Sequence, residues 1–187
     1  MSVMTAPSRT KLISGQELLA MGDIGPCELV DGRIVPMSPT GGRHAILESN
    51  LSRQLGNFVA AHKLGWVMVG EVGIYTRHNP DRVRGADIVF VSRERSAGSP
   101  SKGFLEIAPE LVVEILSPDD RWQDVRQKLE EYFSIGVYWV WIVEPDNRVL
   151  SVYRSSTEMH KLGEKDTLVG EGVLEGFSLP VADLFTE

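Results

Sequence analysis

The chain has 187 residues, 42% hydrophobic and 24% charged, with a formal net charge of −7. That profile suits one globular domain over 1–187, with 1–14 frayed, and excludes a disordered or collagen-like chain. No apolar run approaches the length a bilayer requires, MSVMTAPSRTK lacks a signal-peptide core, and the single Cys27 forbids an internal disulfide, so a cytoplasmic protein without a membrane span is expected.

In chain order, ELVDGRIVPM (28–37) has two short apolar runs around Asp31-Gly32, the signature of a two-residue hairpin. After SPTGG, a helix is expected from Arg43 to Lys63, because Leu47, Leu51, Leu55, Phe58 and Val59 recur at helical spacing. Residues 66–69 and 72–75 read as two strands and 84–91 as a third, followed by a Ser/Gly/Pro loop over 92–103. Leu111–Leu116 is an apolar strand stopped by Pro118. Asp119 or Asp120 is a candidate cap for a helix over Trp122–Ile135, with Val125, Leu129, Tyr132 and Phe133 facing inward. Val137–Val143 and Val149–Tyr153 read as a strand pair, and short edge strands complete the chain. Strands and helices sharing one sheet predict an α/β or α+β fold.

Two acids interrupt apolar strands: Glu114 in LVVEIL and Asp87 at the head of DIVFV. A carboxylate so placed needs a cation, several donors or a proton. Two on neighbouring strands are compatible with one hard cation, Mg²⁺ or Mn²⁺, held by carboxylates and waters. Each acid alone is equally compatible with the end of a strand paired to an arginine. Lys128 lies at the edge of the second helix's buried stripe, one turn before Tyr132, where an ammonium could reach the sheet. A snorkelling surface lysine has the same pattern. His44 and Glu48 begin the first helix's apolar stripe and so line a pocket or are satisfied in the core. Glu28, at the start of the hairpin, could face either way.

The negative charge argues against a protein coated for nucleic acid, since phosphate binding normally leaves a basic footprint. Its arginines are unevenly spread, and a cleft lined by Arg84, Arg93 and Arg126 would be the feature that favours a nucleic-acid substrate. Trp139 and Trp141 add more aromatic surface than one core face needs, which suggests a homodimer.

The succession ELVDGRIVPMSP, a histidine opening a helix, GADIVFVSRER, and LVVEILSPDDRWQDVRQKLEEYFSIGVYWVWIVEP resembles the Uma-type restriction endonuclease family, a branch of the PD-(D/E)XK nuclease superfamily. The likeness runs from about Glu28 to Leu184. It implies a restriction-endonuclease-like α-β-β-β-α-β core, a mixed sheet flanked by helices with an N-terminal hairpin and a C-terminal strand extension. It also implies a Mg²⁺-dependent nuclease acting on nucleic acid, DNA first, with catalytic Asp87, Glu114 and Lys128, metal at Asp87 and Glu114, and His44, Glu48, Glu28 and Tyr132 supporting the pocket. Ala86 replaces the superfamily's proline, and Leu116 stands at its usual lysine position, which makes Lys128 the migrated lysine if the second helix overlies the fork. The alternative is a non-catalytic descendant that binds nucleic acid or another partner.

Overall fold

In the computed structural model, which describes residues 11–98 and 102–186, the chain opens with a short helix that sequence patterning missed. Helix α1 (Gly15–Ala20) is nucleated by a capping box: the Ser14 hydroxyl accepts from the Glu17 N–H, and the Glu17 carboxylate accepts from the Ser14 N–H. Residues 11–14 are therefore tied down rather than frayed, and Ile13 also donates its N–H to the Gly32 carbonyl. The expectation for residues 1–10 lies outside the described residues.

Strands β1 (Cys27–Val30) and β2 (Arg33–Pro36) form the hairpin around Asp31-Gly32. Both turn residues have positive φ, 53° and 73°, as a type I′ turn requires. Helix α2 (Gly42–Ala61) follows, then β3 (Gly65–Arg77), β4 (Arg82–Ser92) and β5 (Leu111–Ile115). The two strands expected over 66–75 are one, because β3 stays paired with β4 through a bulge between Val69 and Val72, where Gly70 and Glu71 adopt φ of 86° and 57°. Helix α3 (Trp122–Ser134), β6 (Trp139–Glu144), β7 (Val149–Tyr153) and β8 (Met159–Leu162) complete the main sheet. The residue preceding α3 in cap position is Arg121, without a side-chain bond; Asp120 instead accepts the Ser117 N–H and shapes the turn after β5.

The eight-stranded sheet has the order β2-β1-β4-β5-β6-β7-β8, with β3 also on β4. Its β5–β6 pair is parallel and the other pairs are antiparallel. Alternation along β4 and β5 divides their apolar side chains between two cores. Ile88, Phe90, Leu111 and Val113 pack with Leu47, Leu51 and Leu55 of α2, whereas Val89, Val91 and Val112 pack with Val125, Leu129 and Tyr132 of α3. The sheet thus lies between the two long helices.

The C-terminal segment forms a separate hairpin, β9 (Thr167–Val169) with β10 (Ser178–Pro180), and the short helix α4 (Val181–Leu184), all packed into the α2-side core. Phe177 stacks on Trp141 with ring centroids 6.0 Å apart, and a Cβ at Gly172 would lie 2.6 Å from the Trp139 ring. Both tryptophans therefore pack within the chain, which accounts for the aromatic surface that suggested a homodimer. Among the described residues, no helix is long and apolar enough to cross a membrane.

Candidate active site

The antiparallel register that pairs Ile88 with Val113 and Val89 with Val112 sets Asp87, one step further, across from Glu114. The strands part here. Asp87 Oδ2 accepts the Ile115 N–H at 2.6 Å, which bonds the acid to the backbone immediately beyond Glu114. Both carboxylates line one cleft of about 400 Å³, with His44, Glu71, Ile115 and Lys128 among its other walls.

Helix α3 overlies this fork. The Lys128 ammonium lies 3.2 Å from each Glu114 oxygen, 3.1 Å from Glu28 Oε1 and 3.3 Å from the Gly85 carbonyl. One turn on, the fully buried Tyr132 hydroxyl donates to Glu114 Oε1 at 2.6 Å. Leu116, at the superfamily's lysine position, packs against the α3-side core instead. A lysine from the helix and not from the strand meets the carboxylate.

The electrostatics follow from this burial. Removal from water pushes the Glu114 carboxyl up to about 7, because burial and the neighbouring Asp87 outweigh the Lys128 ammonium and the Tyr132 hydrogen bond. Burial works against the Lys128 ammonium too, but Glu114 and Glu28 outweigh it and hold Lys128 firmly protonated. Burial raises Tyr132, keeping it a hydroxyl donor.

His44, in the first turn of α2, places Nε2 3.3 Å from Asp87 Oδ1, and this bond raises its pKa above the ordinary value. Its Nδ1 is buried and has no hydrogen-bond partner among the described residues. Glu48 does not line the cleft. Its carboxylate accepts the Gly70 N–H at 3.1 Å and so fastens α2 to the β3 bulge. Glu28 is buried and belongs to the site's charge network: it accepts from Arg84 at 2.7 Å and the Gly85 N–H at 3.1 Å besides meeting Lys128.

Sequence reasoning missed Glu71. The bulge carries it into the cleft, and the bare Gly85 makes room: a Cβ there would approach Glu71 Oε2 to 2.8 Å. Burial first, then Asp87, raises its carboxyl. The available signal was Gly70 beside a charged residue inside a valine-rich strand, a cue for a bulge.

The three arginines expected to line one basic cleft are separated. Arg84 is buried, its guanidinium clamped by Glu28 and by both oxygens of Glu131 at 2.6 and 2.8 Å, so its charge is already met by carboxylates inside the fold. Arg93 lies over the Trp66 ring and donates to the Lys63 carbonyl. Arg126 stands on the outer face of α3, in a different groove. The cleft itself is acidic, with Glu71, Asp87, Glu114, Asp119 and Asp120 against Lys128 and His44.

Among the described residues, no three His, Cys, Asp or Glu side chains form a closed metal-ligand cluster. A hard cation does not need one, since Mg²⁺ is commonly held by one or two carboxylates, with waters filling the remaining positions. Facing oxygen donors, and burial that raises both Glu114 and Glu71, fit such a cation.

The family described as "Uma2: Putative restriction endonuclease" matches residues 16–182. A solved structure described as a "putative nuclease belonging to DUF820", from Anabaena variabilis, is 24% identical and superposes with a TM-score of 0.78, covering 92% of this chain and 97% of that one. That likeness establishes a shared fold. No curated protein matches.

Proposed function

The chain belongs to the Uma2 restriction endonuclease family, and from that premise we propose that it is a metal-dependent phosphodiesterase that cleaves nucleic acid, DNA first. The observation that carries this reading is the fork: Asp87 and Glu114 opposite one another, with Lys128 at hydrogen-bond distance from Glu114. Mg²⁺ or Mn²⁺ at these two carboxylates would supply Lewis acidity, an activated water and a counter-charge for the scissile phosphate. The protein's own groups do the positioning. Tyr132 orients the Glu114 carboxylate, His44 and the Ile115 N–H orient Asp87, and Glu28 steers the Lys128 ammonium. Lys128 has three protons to redirect toward a phosphate oxygen as negative charge develops there.

A second reading, a non-catalytic descendant, is favoured by one specific observation. Lys128 already pairs with both Glu114 and Glu28, within the protein's own side chains. Incubation of the protein with plasmid DNA, single-stranded DNA and RNA in Mg²⁺ or Mn²⁺ separates the two. The enzyme reading expects strand cleavage that EDTA abolishes and that Asp87→Asn lowers by about 100-fold or more. Intact substrates in all three cases, from a folded protein, would leave the binding module.

A further inference from the structure

The groove containing Arg126 differs in character from the acidic cleft. It holds about 520 Å³ between the outer face of α3 and the β7–β8 hairpin. Its walls include Trp122, Arg126, Glu130, Tyr153, Met159 and Lys161. Trp122, Arg126 and Glu130 recur every four residues and therefore form one stripe on the helix. Trp122 is 42% exposed and Met159 37%, an unusual outlay of apolar surface on a charged helix.

Most of the protein's other arginines are engaged. Arg43 pairs with Asp146, Arg77 and Arg82 with Asp31, Arg84 with Glu28 and Glu131, Arg95 with Glu110 and Arg154 with Glu171. Arg126 is exposed and has no such pairing among the described residues. Across the groove, Lys161 is half exposed and pairs with Glu144 at 3.2 Å. With Arg126 and the Glu144-paired Lys161 facing Glu130, this groove lacks the run of carboxylates that lines the cleft.

It also adjoins the fork. Leu129 lines both this groove and a small cavity of about 60 Å³ behind Glu114, Lys128 and Tyr132. Arg126 and Lys128 stand two residues apart on α3 and so face its opposite flanks, the groove on one side and the cleft on the other.

We infer that this groove binds a single-stranded segment of nucleic acid flanking the scissile phosphate, with a base stacked on Trp122 and backbone phosphate met by Arg126 and Lys161. This rests on the nuclease reading above and adds where the strand lies. An exposed indole beside a cation is the chemistry that holds unpaired bases irrespective of sequence, because every base presents a π face. A base pair keeps those faces stacked on its neighbours, so the groove selects a single strand.

The test is fluorescence anisotropy with labelled oligothymidylate and oligouridylate of about 12 nucleotides, in Ca²⁺ buffer. Trp122→Ala should weaken binding about tenfold and Trp122→Phe much less. Arg126→Ala should weaken it and lower the slope of log affinity against log salt by about 1. Preference for one oligonucleotide over the other assigns the sugar. Because both side chains are exposed, the variants should melt like the parent and keep its response to Mn²⁺. A parent that binds while Trp122→Ala and Arg126→Ala bind equally well would overturn the groove and leave the nuclease reading intact. So would loss of the Mn²⁺ response in Trp122→Ala, since the effect would then arise at the fork. A parent that responds to Mn²⁺ but binds neither oligonucleotide would overturn the groove, while cleavage of plasmid DNA would still decide the nuclease reading.

Discussion

Lys128→Met should destabilise the metal-free protein by about 3–5 kcal/mol, the usual consequence of removing one partner from a buried ion pair. The Lys128 side chain is 22% exposed and holds two acids, Glu114 and Glu28, whose side chains are only 12% and 7% exposed. Methionine fills the same space but leaves Glu114 with Tyr132 alone, and Glu28 with Arg84 and the Gly85 N–H. For a domain of this size each kcal/mol shifts Tm by about 2–4 °C, and calorimetry of parent and variant reads the difference directly. The loss should shrink in Mn²⁺, because a cation at the fork would offset the same surplus charge. Cleavage should fall by at least about 100-fold even there, since an ion at the carboxylates does not replace a donor aimed at the phosphate. A variant that melts like the parent would mean that Lys128 is a surface lysine whose contacts carry no weight.

Arg84→Met should be comparably severe, by about 3–5 kcal/mol, for a reason unconnected with catalysis. Its guanidinium, 9% exposed, satisfies Glu28 on one side and Glu131 on the other, and burial is outweighed so fully by these carboxylates that its pKa stands above the ordinary arginine value. The same contacts hold the Glu131 carboxyl below its ordinary value despite burial. Removing Arg84 leaves Glu131 with Arg82, Gln127 and Thr76, and leaves Glu28 with Lys128 and the Gly85 N–H. Arg84→Met combined with Glu131→Gln should recover part of the stability, because the second change removes a buried charge that has lost one of its two arginines. Thermal melts of the single and double variants measure this coupling. Equal losses in both would show that Arg84 contributes through packing alone.

The contrast between these residues explains how much was legible in the sequence. Asp87 and Glu114 stood out because each breaks an apolar run, and strand alternation then brings both to the fork. The Asp31-Gly32 turn and the stripes of α2 and α3 are local patterns, with local causes. Glu71 reaches the cleft only through a bulge that exists because β3 pairs with β4 on both sides of it, and through the missing side chain of Gly85. That is a tertiary fact. Arg84 alternates like any strand residue, and its sequence does not reveal that Glu28 and Glu131, from two other elements, converge on it. Trp139 and Trp141 looked surplus for the same reason: the segment that covers them lies more than 30 residues downstream.

The central claim is that Asp87 and Glu114 form a cation site, and melting at pH 8 with and without millimolar Mn²⁺ tests it most directly. An acid whose folded pKa is raised carries a penalty absent at low pH; for Glu114 it grows from the ordinary carboxylate range up to about 7 and is full at pH 8. A cation bound only by the folded state adds RT ln(1 + [L]/Kd) and should raise the parent's Tm by several degrees. Glu114→Gln, isosteric with the neutral acid, should melt at or above the metal-free parent and lose the Mn²⁺ response. A parent indifferent to Mn²⁺, together with a Glu114→Gln variant that melts lower, would contradict the account and make the Glu114–Lys128 pair a structural salt bridge.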